Sequence, residues 1–260
     1  MITCKLQGGL GNQMFQIATT YATSKENNVG YDFDFNHCFT PNQGNPTKKY
    51  EDNFFKLINN TLDIRTIGNL TRYNEPKFSY SDISESPSLY LEGFFQTERY
   101  FKKYSEEVKN LFHFSDEQKE KIQKHIDSIG LPLTAIHVRR GDYLKHPNFH
   151  PTCSVEYYKN AMDAIDIIGD GNFIFISDDI EWCKENFKGE NIYFSPFKNE
   201  IDDLLLISMC HNQIISNSSF SWWGAWMTNN NGIKIAPQKW FGDRGPKDVE
   251  DIIPDNWVKI

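Results

Sequence analysis

Residues 134–144 read TAIHVRRGDYL, an apolar run that ends on His137, Arg139, Arg140 and Asp142. Arginine presents a planar fork of N–H donors that matches phosphate oxygens and stays charged at any working pH. Two adjacent guanidinium groups beside Gly141, where backbone can approach closely, suit a diphosphate. The competing reading is a surface ion pair between Arg140 and Asp142. Two further segments place polar side chains after an apolar run. In FIFISDD (173–179), the carboxylates beside Ser177, Asp178 and Asp179, either accept hydrogen bonds from ribose hydroxyls or a guanine edge, or cap the following helix. In ISNSSFSWWGAW (215–226), Asn217, Ser218, Ser219 and Ser221 precede or open a helix whose free N–H groups make an anion site. A plain N-cap would need one of the four.

QGGLGNQ (7–13) is a glycine-rich turn between a strand and a helix. It is only loosely a dinucleotide fingerprint: counted from Gly9 the third glycine position holds Met14, and counted from Gly8 the second holds Leu10. No phosphate-loop Lys-Ser/Thr follows, so a nicotinamide oxidoreductase or ATP site is disfavoured. Asp32 and Asp34 form a DxD whose side chains share one side of a strand, a geometry open to shared metal ligation. His146 and His150 are four apart, but Pro147 argues against a helical His–His metal face. No metal site is expected.

The elements that must position these residues follow from periodicity. ITCKLQ reads as a strand. Met14, Ile17, Ala18 and Tyr21 give the next helix its apolar face. YDFDF (31–35) reads as a second strand, and 37–49, with Pro41, Gly44 and Pro46, as a loop. LYLEGFF (89–95) reads as a strand followed by one helix through TERYFKKYSEEVKNLF; residues 50–90 resist placement. A helix capped by Ser115 runs to Gly130. Beyond Pro132, strands LTAIHV, FIFIS, NIYF, QIIS and IKIAP alternate with helices and are almost continuously apolar, the mark of a parallel sheet covered on both faces. In such sheets ligands bind beyond the carboxyl ends of the strands, where HVRRGDY, FIFISDD, ISNSSFSWWGAW and QGGLGNQ lie. The chain is expected to divide into an α/β domain over 1–130 and another over 131–260.

The 260 residues carry a net charge of −8, which argues against a general nucleic-acid binder and requires a local cluster of positive charge for any anionic ligand. Aromatics reach 15%, so they either line a carbohydrate site or fill core. Five cysteines without CxxC spacing point to free thiols in a reducing compartment. No apolar run is long enough to span a membrane, and MITCKLQGGLG has no secretory leader, so the expected location is cytoplasmic.

Taken together and in order, QGGLGNQMFQ, HVRRGDY, SDD and NSSFSWWGAW resemble glycosyltransferase family 11, the α-1,2-fucosyltransferases of bacterial type, and LEGFFQTERYF is similar to a further family segment. The resemblance implies an α/β, GT-B-like fold of two facing Rossmann-like domains with parallel sheets. It implies a GDP-fucose donor on the C-terminal domain, the acceptor on the N-terminal domain, and no cofactor or required metal. By it, Arg139 holds the diphosphate with Arg140 nearby, and His137 lies against the nucleotide. Ser177, Asp178 and Asp179 read ribose or guanine; Asn217, Ser218, Ser219 and Ser221 meet phosphate. Gly9, Asn12 and Gln13 face the donor from the other domain. The implied reaction is inverting transfer of fucose to the 2-hydroxyl of a terminal β-galactose. Asp142, Glu92 and His137, in that order, are candidates for the general base, and Asp142 alternatively orients Arg140. By the same resemblance the expected acceptor is a galactose-terminated saccharide of surface polysaccharide, carried on a lipid that would hold the enzyme at the inner face of the membrane. Another GDP-fucose linkage and a non-catalytic glycan or nucleotide-sugar binding module are the alternatives.

Overall fold

The computed structural model describes residues 1–260 apart from 42, 69, 131 and 170 and the side chain of Thr66. Residue 42, inside the expected loop, and residue 131, at the expected start of the second domain, therefore lie outside the described residues. The chain forms two compact units. One comprises Met1–His113 with Lys247–Pro254, the other Phe114–Pro246 with Asp255–Ile260.

The first unit holds strand β1 (Ile2–Cys4), helix α1 (Leu10–Glu26), strands β2 (Thr71–Asn74) and β3 (Leu89–Glu92), and helix α2 (Ser105–Leu111). Its sheet is parallel in the order β1-β3-β2. The expected strand over 31–35 is reduced to one bridge, Ile2 to Tyr31. The Asp34 carboxylate accepts the Asn36 N–H at 2.9 Å and turns the chain out of the sheet. The aromatic rings of this stretch fill core instead: Phe33 and Phe35 are fully buried in a run of rings that continues through Phe55 to Phe112. The single helix expected over 97–112 is two 3-10 turns, Glu98–Tyr100 and Lys102–Tyr104, followed by α2.

The second unit begins with α3 (Asp116–Ile129), whose N-terminus carries a reciprocal Ser115–Gln118 capping box. Then come β4 (Leu133–Val138), α4 (Val155–Asp166), β5 (Asn172–Ser177), α5 (Ile180–Asn186), β6 (Ile192–Phe194), α6 (Glu200–Met209), β7 (Asn212–Ile214), α7 (Ser219–Trp226), β8 (Lys234–Ala236) and β9 (Val258–Lys259). The boundary expected at 130/131 is thus corrected to 113/114, because α3 packs on α6, where Asp202 accepts from Gln118 at 2.9 Å and pairs with Lys121 at 2.7 Å.

All strands of this second sheet are parallel, in the order β6-β5-β4-β7-β8-β9. Read as consecutive strands this is 3-2-1-4-5-6, the doubly wound order, whose switch point lies between β4 and β7. β4 is buried along its whole length, as an interior parallel strand should be. Trp222 and Trp223 are fully buried, so the tryptophans of α7 are core. Gly224 permits the close approach of α6, since a Cβ there would sit 2.5 Å from an Ile207 methyl.

Candidate active site

The segments after β4 and β7 flank the switch point. The β4–β7 register, Ile136 opposite Ile214, carried onward brings Arg139 level with Asn217. Arg139 Nη2 donates to Asp142 at 2.6 Å, and Nη1 lies 3.1 Å from Asp178. The guanidinium also lies against the Tyr143 ring, 5.5 Å from its centroid, and the Tyr143 hydroxyl donates to the Asn217 carbonyl at 3.0 Å. Arg140 donates from Nε to Asp179 at 3.0 Å and stacks over Trp182 at 4.1 Å. The ion pair considered between Arg140 and Asp142 is therefore not formed: Asp142 belongs to Arg139, and Asp179 to Arg140. Nor is this a bare positive patch, since two guanidinium groups sit among three carboxylates. Arg139 remains about one-third exposed, with N–H groups to spare.

Asp178 and Asp179 have structural partners. Asp178 accepts the Arg140 backbone N–H at 2.9 Å, and Asp179 accepts the Trp182 N–H at 3.4 Å as the N-cap of α5. Ser177 Oγ accepts the Asp179 N–H at 2.9 Å. In this structure the three orient the arginines and cap α5. Gly141 is required here, because a Cβ would meet Asp178 Oδ2 at 2.5 Å.

His137 is buried, with Nδ1 2.9 Å from Ser216 Oγ and its ring beside Phe220. Burial, and then the Arg139 charge, lower its pKa to about 3, so it is neutral near pH 7 and a poor general base. Asn217 donates both amide hydrogens inward, to Pro151 O at 2.9 Å and Trp240 O at 2.8 Å. Ser221 is fully buried and donates to Ser218 O at 3.2 Å. Neither is free for phosphate, and both are corrected to supports of the loop. Ser218 and Ser219 remain candidates. The first turn bond of α7 is Trp222 N to Ser218 O at 3.0 Å, which leaves the N–H groups of Ser219, Phe220 and Ser221 directed out of the helix start.

In the first unit, Gly9 is the N-cap of α1 and Gly8 has φ +80°, where a Cβ would clash with Asn12 Nδ2. Gly44 at φ +62° lies so close to Gly9 that a Cβ would be 2.7 Å from the Gly9 Cα. Gln13 is fully buried and donates to Gly8 O and Asn45 O at 2.9 and 2.8 Å, so its amide nitrogen clamps the turn rather than serving a ligand. Asn12 Oδ1 accepts from Gln96 at 2.6 Å. Glu92 pairs with Arg72 at 3.1 Å and lies 3.8 Å from Lys5, which leaves it poorly placed as a base.

Asp32 and Asp34 do not converge. Asp32 accepts from the Thr61 N–H and hydroxyl at 2.9 and 2.5 Å, while Asp34 accepts from His37 at 2.6 Å and Ile64 N at 2.9 Å. Among the described residues the only group with metal-ligand spacing is Asp34, His37 and Asp63, and Asp63 already holds Arg65 through both oxygens. Residues 146–150 do form a helical turn, with His150 N donating to His146 O at 2.8 Å, but the His150 ring stacks on Tyr143 at 4.6 Å.

Sequence reasoning missed Tyr143, Ser216, Trp182 and His150, which hold the arginine strand and its loop. It also missed Glu75, whose oxygens accept the N–H groups of Phe94 at 2.7 Å and Phe95 at 2.9 Å. Phe95 is a buried non-glycine residue at φ +53°, a conformation that costs about 1–2 kcal/mol. Nothing near Glu75 in the sequence marks it, because its partners lie some twenty residues away.

The sequence profile described as Glycosyl transferase family 11 matches residues 1–260. An α-1,2-colitosyltransferase of Escherichia coli is 33% identical over 100% of this chain and 99% of its own. The O-antigen biosynthesis glycosyltransferase WbnK, also of Escherichia coli, is 26% identical over the whole of both chains. A galactoside α-(1,2)-fucosyltransferase 1 of Leontocebus fuscicollis is 28% identical over 60% of this chain and 47% of its own. Among solved structures, POFUT1 in complex with GDP shares the fold with TM-score 0.53 and 14% identity, covering 88% of this chain and 94% of that one. The fold is α/β with parallel sheets, of the GT-B-like class, and the chain belongs to glycosyl transferase family 11.

Proposed function

We propose that this glycosyltransferase moves L-fucose from GDP-β-L-fucose to the 2-hydroxyl of a terminal β-galactose, with inversion, forming an α-1,2 linkage. The observation that carries the reading is Arg139, oriented by Asp142 and Asp178 at the switch point of a doubly wound sheet, next to the open N-terminus of α7. The names of the relatives support the linkage, and the galactoside fucosyltransferases support the acceptor sugar.

In this reading the second unit holds the donor and the first unit the acceptor. The diphosphate takes hydrogen bonds from the remaining N–H groups of Arg139, from the first-turn N–H groups of α7, and from Ser218 and Ser219. Gly9 and Asn12 are the candidates that the glycine-rich turn contributes in the first unit. The galactose oxygen attacks fucose C1 as the bond from C1 to the β-phosphate oxygen breaks, and the electron pair leaves on phosphate. Preorganised donors stabilise that growing charge, so the step requires no divalent ion. The hydroxyl proton passes to Asp142 or, late, to the departing phosphate. Arg140 holds Asp179 and with it the start of α5. The acceptor belongs to surface polysaccharide on a lipid carrier, in keeping with the O-antigen relative, and the enzyme works from the cytoplasmic side. No helix among the described residues is long and apolar enough to cross a membrane.

A second donor has its own support: the relative at 33% identity transfers colitose, which is fucose without its 3-hydroxyl. A site that hydrogen-bonds that hydroxyl rejects the deoxy sugar by about 10⁴-fold or more, whereas an apolar site discriminates only weakly. The test is incubation of the enzyme with lactose or N-acetyllactosamine and each GDP-sugar in turn, in EDTA, followed by mass and linkage analysis. One added fucose on O2 of galactose sustains the reading. Exclusive use of GDP-colitose replaces the donor, and strict dependence on added metal overturns the charge-stabilisation scheme.

A further inference from the structure

Glu75 follows β2 at the carboxyl end of the first sheet, and its backbone N–H donates to Glu92 O at 2.8 Å. It is partly buried and forms no ion pair among the described residues. The acidic side chains of Asp248 and Asp251, in the returning segment, are near enough to act on it, as are the Tyr73 and Tyr100 phenols. Arg99 pairs with Asp251 at 3.4 Å. A carboxylate in such surroundings is unfavourable unless it does something a neutral side chain cannot. Here it does: each oxygen accepts one of two consecutive backbone N–H groups, and Phe95 is thereby kept at positive φ. A glutamine offers one accepting oxygen, and a protonated carboxyl must give up one acceptor position to its own proton. Gly93 leaves room for the contact, since a Cβ there would be 2.5 Å from the Glu75 Cβ.

The loop so fixed also reaches the glycine-rich turn. Gln16 donates to Gly93 O at 3.1 Å and Gln96 donates to Asn12 Oδ1 at 2.6 Å. Asn12 is a candidate site residue of the glycine-rich turn. We infer that Glu75 is a positioning residue for the transfer: its carboxylate sets the conformation of residues 93–96 and, through Gln96, the orientation of the Asn12 amide in the glycine-rich turn. The inference rests on the proposed function for the transfer, but not for the loop.

Burial raises the Glu75 pKa to about 7, with Asp248 and Asp251 adding to the shift, so the working carboxylate is lost just below neutrality. The sign for stability runs the other way. An acid whose folded pKa is raised stabilises the fold below the unfolded value of 4.5 and loses that contribution as pH rises through 7. Activity and stability thus diverge with pH at this one side chain, which a merely structural carboxylate would not produce.

The experiment compares the parent with Glu75→Gln from pH 5.5 to 8.5. Expected for the variant at pH 8 is a kcat about tenfold or more lower, KM for GDP-fucose within about twofold, and a melting temperature not below the parent's. The parent's acid limb near pH 7 is expected to be missing from the variant. A variant kcat within about twofold of the parent, or an unchanged acid limb, overturns the inference. Hydrogen–deuterium exchange over 93–96 is measured on the same samples and needs no substrate. Loss of protection confined to that segment in Glu75→Gln supports the loop assignment, and unchanged protection refutes it. Should the parent transfer no sugar, the function reading has failed, and the exchange result alone decides the role of Glu75. Should Glu75→Gln fail to fold, exchange of the same segment in the parent across pH 6–8 decides, with protection expected to rise with ionisation.

Discussion

Replacing Arg139 separates charge from fork geometry. A guanidinium has five N–H groups. One points to Asp142 and one to Asp178, so at most three remain for the diphosphate. Lysine has three N–H groups; if the carboxylates keep two, one is left. Arg139→Lys then forfeits two charge-assisted hydrogen bonds, each worth about 1.5 kcal/mol in the transition state, or about 3 kcal/mol and 150-fold in kcat/KM. Arg139→Ala forfeits all three, about 4.5 kcal/mol and roughly 2000-fold. The fold should lose far less. Asp142 and Asp178 are 29% and 27% exposed and can be re-solvated, so the cost is about 1 kcal/mol, or a few degrees in melting temperature. Initial rates of GDP release with saturating acceptor, beside thermal melts of the same samples, measure both. Arg139→Lys with more than about half the parent's kcat/KM would refute the fork argument. A large loss accompanied by a collapse in melting temperature would mean that Arg139 serves the fold.

Other outcomes are expected from the same site. Asp142→Asn should lower kcat more than donor affinity if Asp142 takes the acceptor proton; a loss in donor Kd alone, by calorimetry with GDP, would leave it only orienting Arg139. Gly141→Ala puts a methyl where Asp178 Oδ2 now sits, 2.5 Å away, so it should displace that carboxylate from Arg139 and cut turnover at least about tenfold with little unfolding; near-parent kinetics would show that the Asp178 contact is dispensable. His137, with its pKa lowered to about 3, should give ring proton shifts that do not titrate between pH 5 and 8. Because its folded pKa lies below the unfolded 6.5, its linkage contribution is fully present above pH 6.5 and lost toward pH 3, by at most about 1.4 kcal/mol per pH unit; a titration midpoint near 6.5 would show the ring to be solvated.

The second unit was largely legible because each of its principal strands is a short apolar run between amphipathic helices, and burial on both faces leaves no other reading. β9 escaped: Val258–Lys259 is two exposed residues whose strand character comes from β8. β2 escaped likewise, since TRYN has no apolar alternation and is mostly exposed. YDFDF showed perfect alternation yet is scarcely paired, because its aspartates bind loop amides and its rings pack with other rings. At the site, residue type and strand end pointed to Arg139, which Asp142, Asp178 and Tyr143 surround. What the sequence could not reveal is which carboxylate faces which arginine. Asp142, Asp178 and Asp179 are equivalent as letters, and only the β4–β5 pairing decides their partners.

The path of residues 247–260 bears on how the protein is made. After completing most of the second unit, the chain returns to the first, where Asp248 and Asp251 accept the amides of Phe78 and Tyr80 at 2.5 and 2.8 Å. It then goes back to the second, where Ile260 exchanges backbone bonds with Gln238 and Ala236. A nascent chain stopped at residue 246 would have β8 as an open sheet edge and two amides of the first unit without acceptors. Folding on the ribosome therefore cannot finish unit by unit. Both halves wait for residues 247–260 to leave the exit tunnel, and a truncation there should send the product toward aggregation during synthesis rather than merely weaken it.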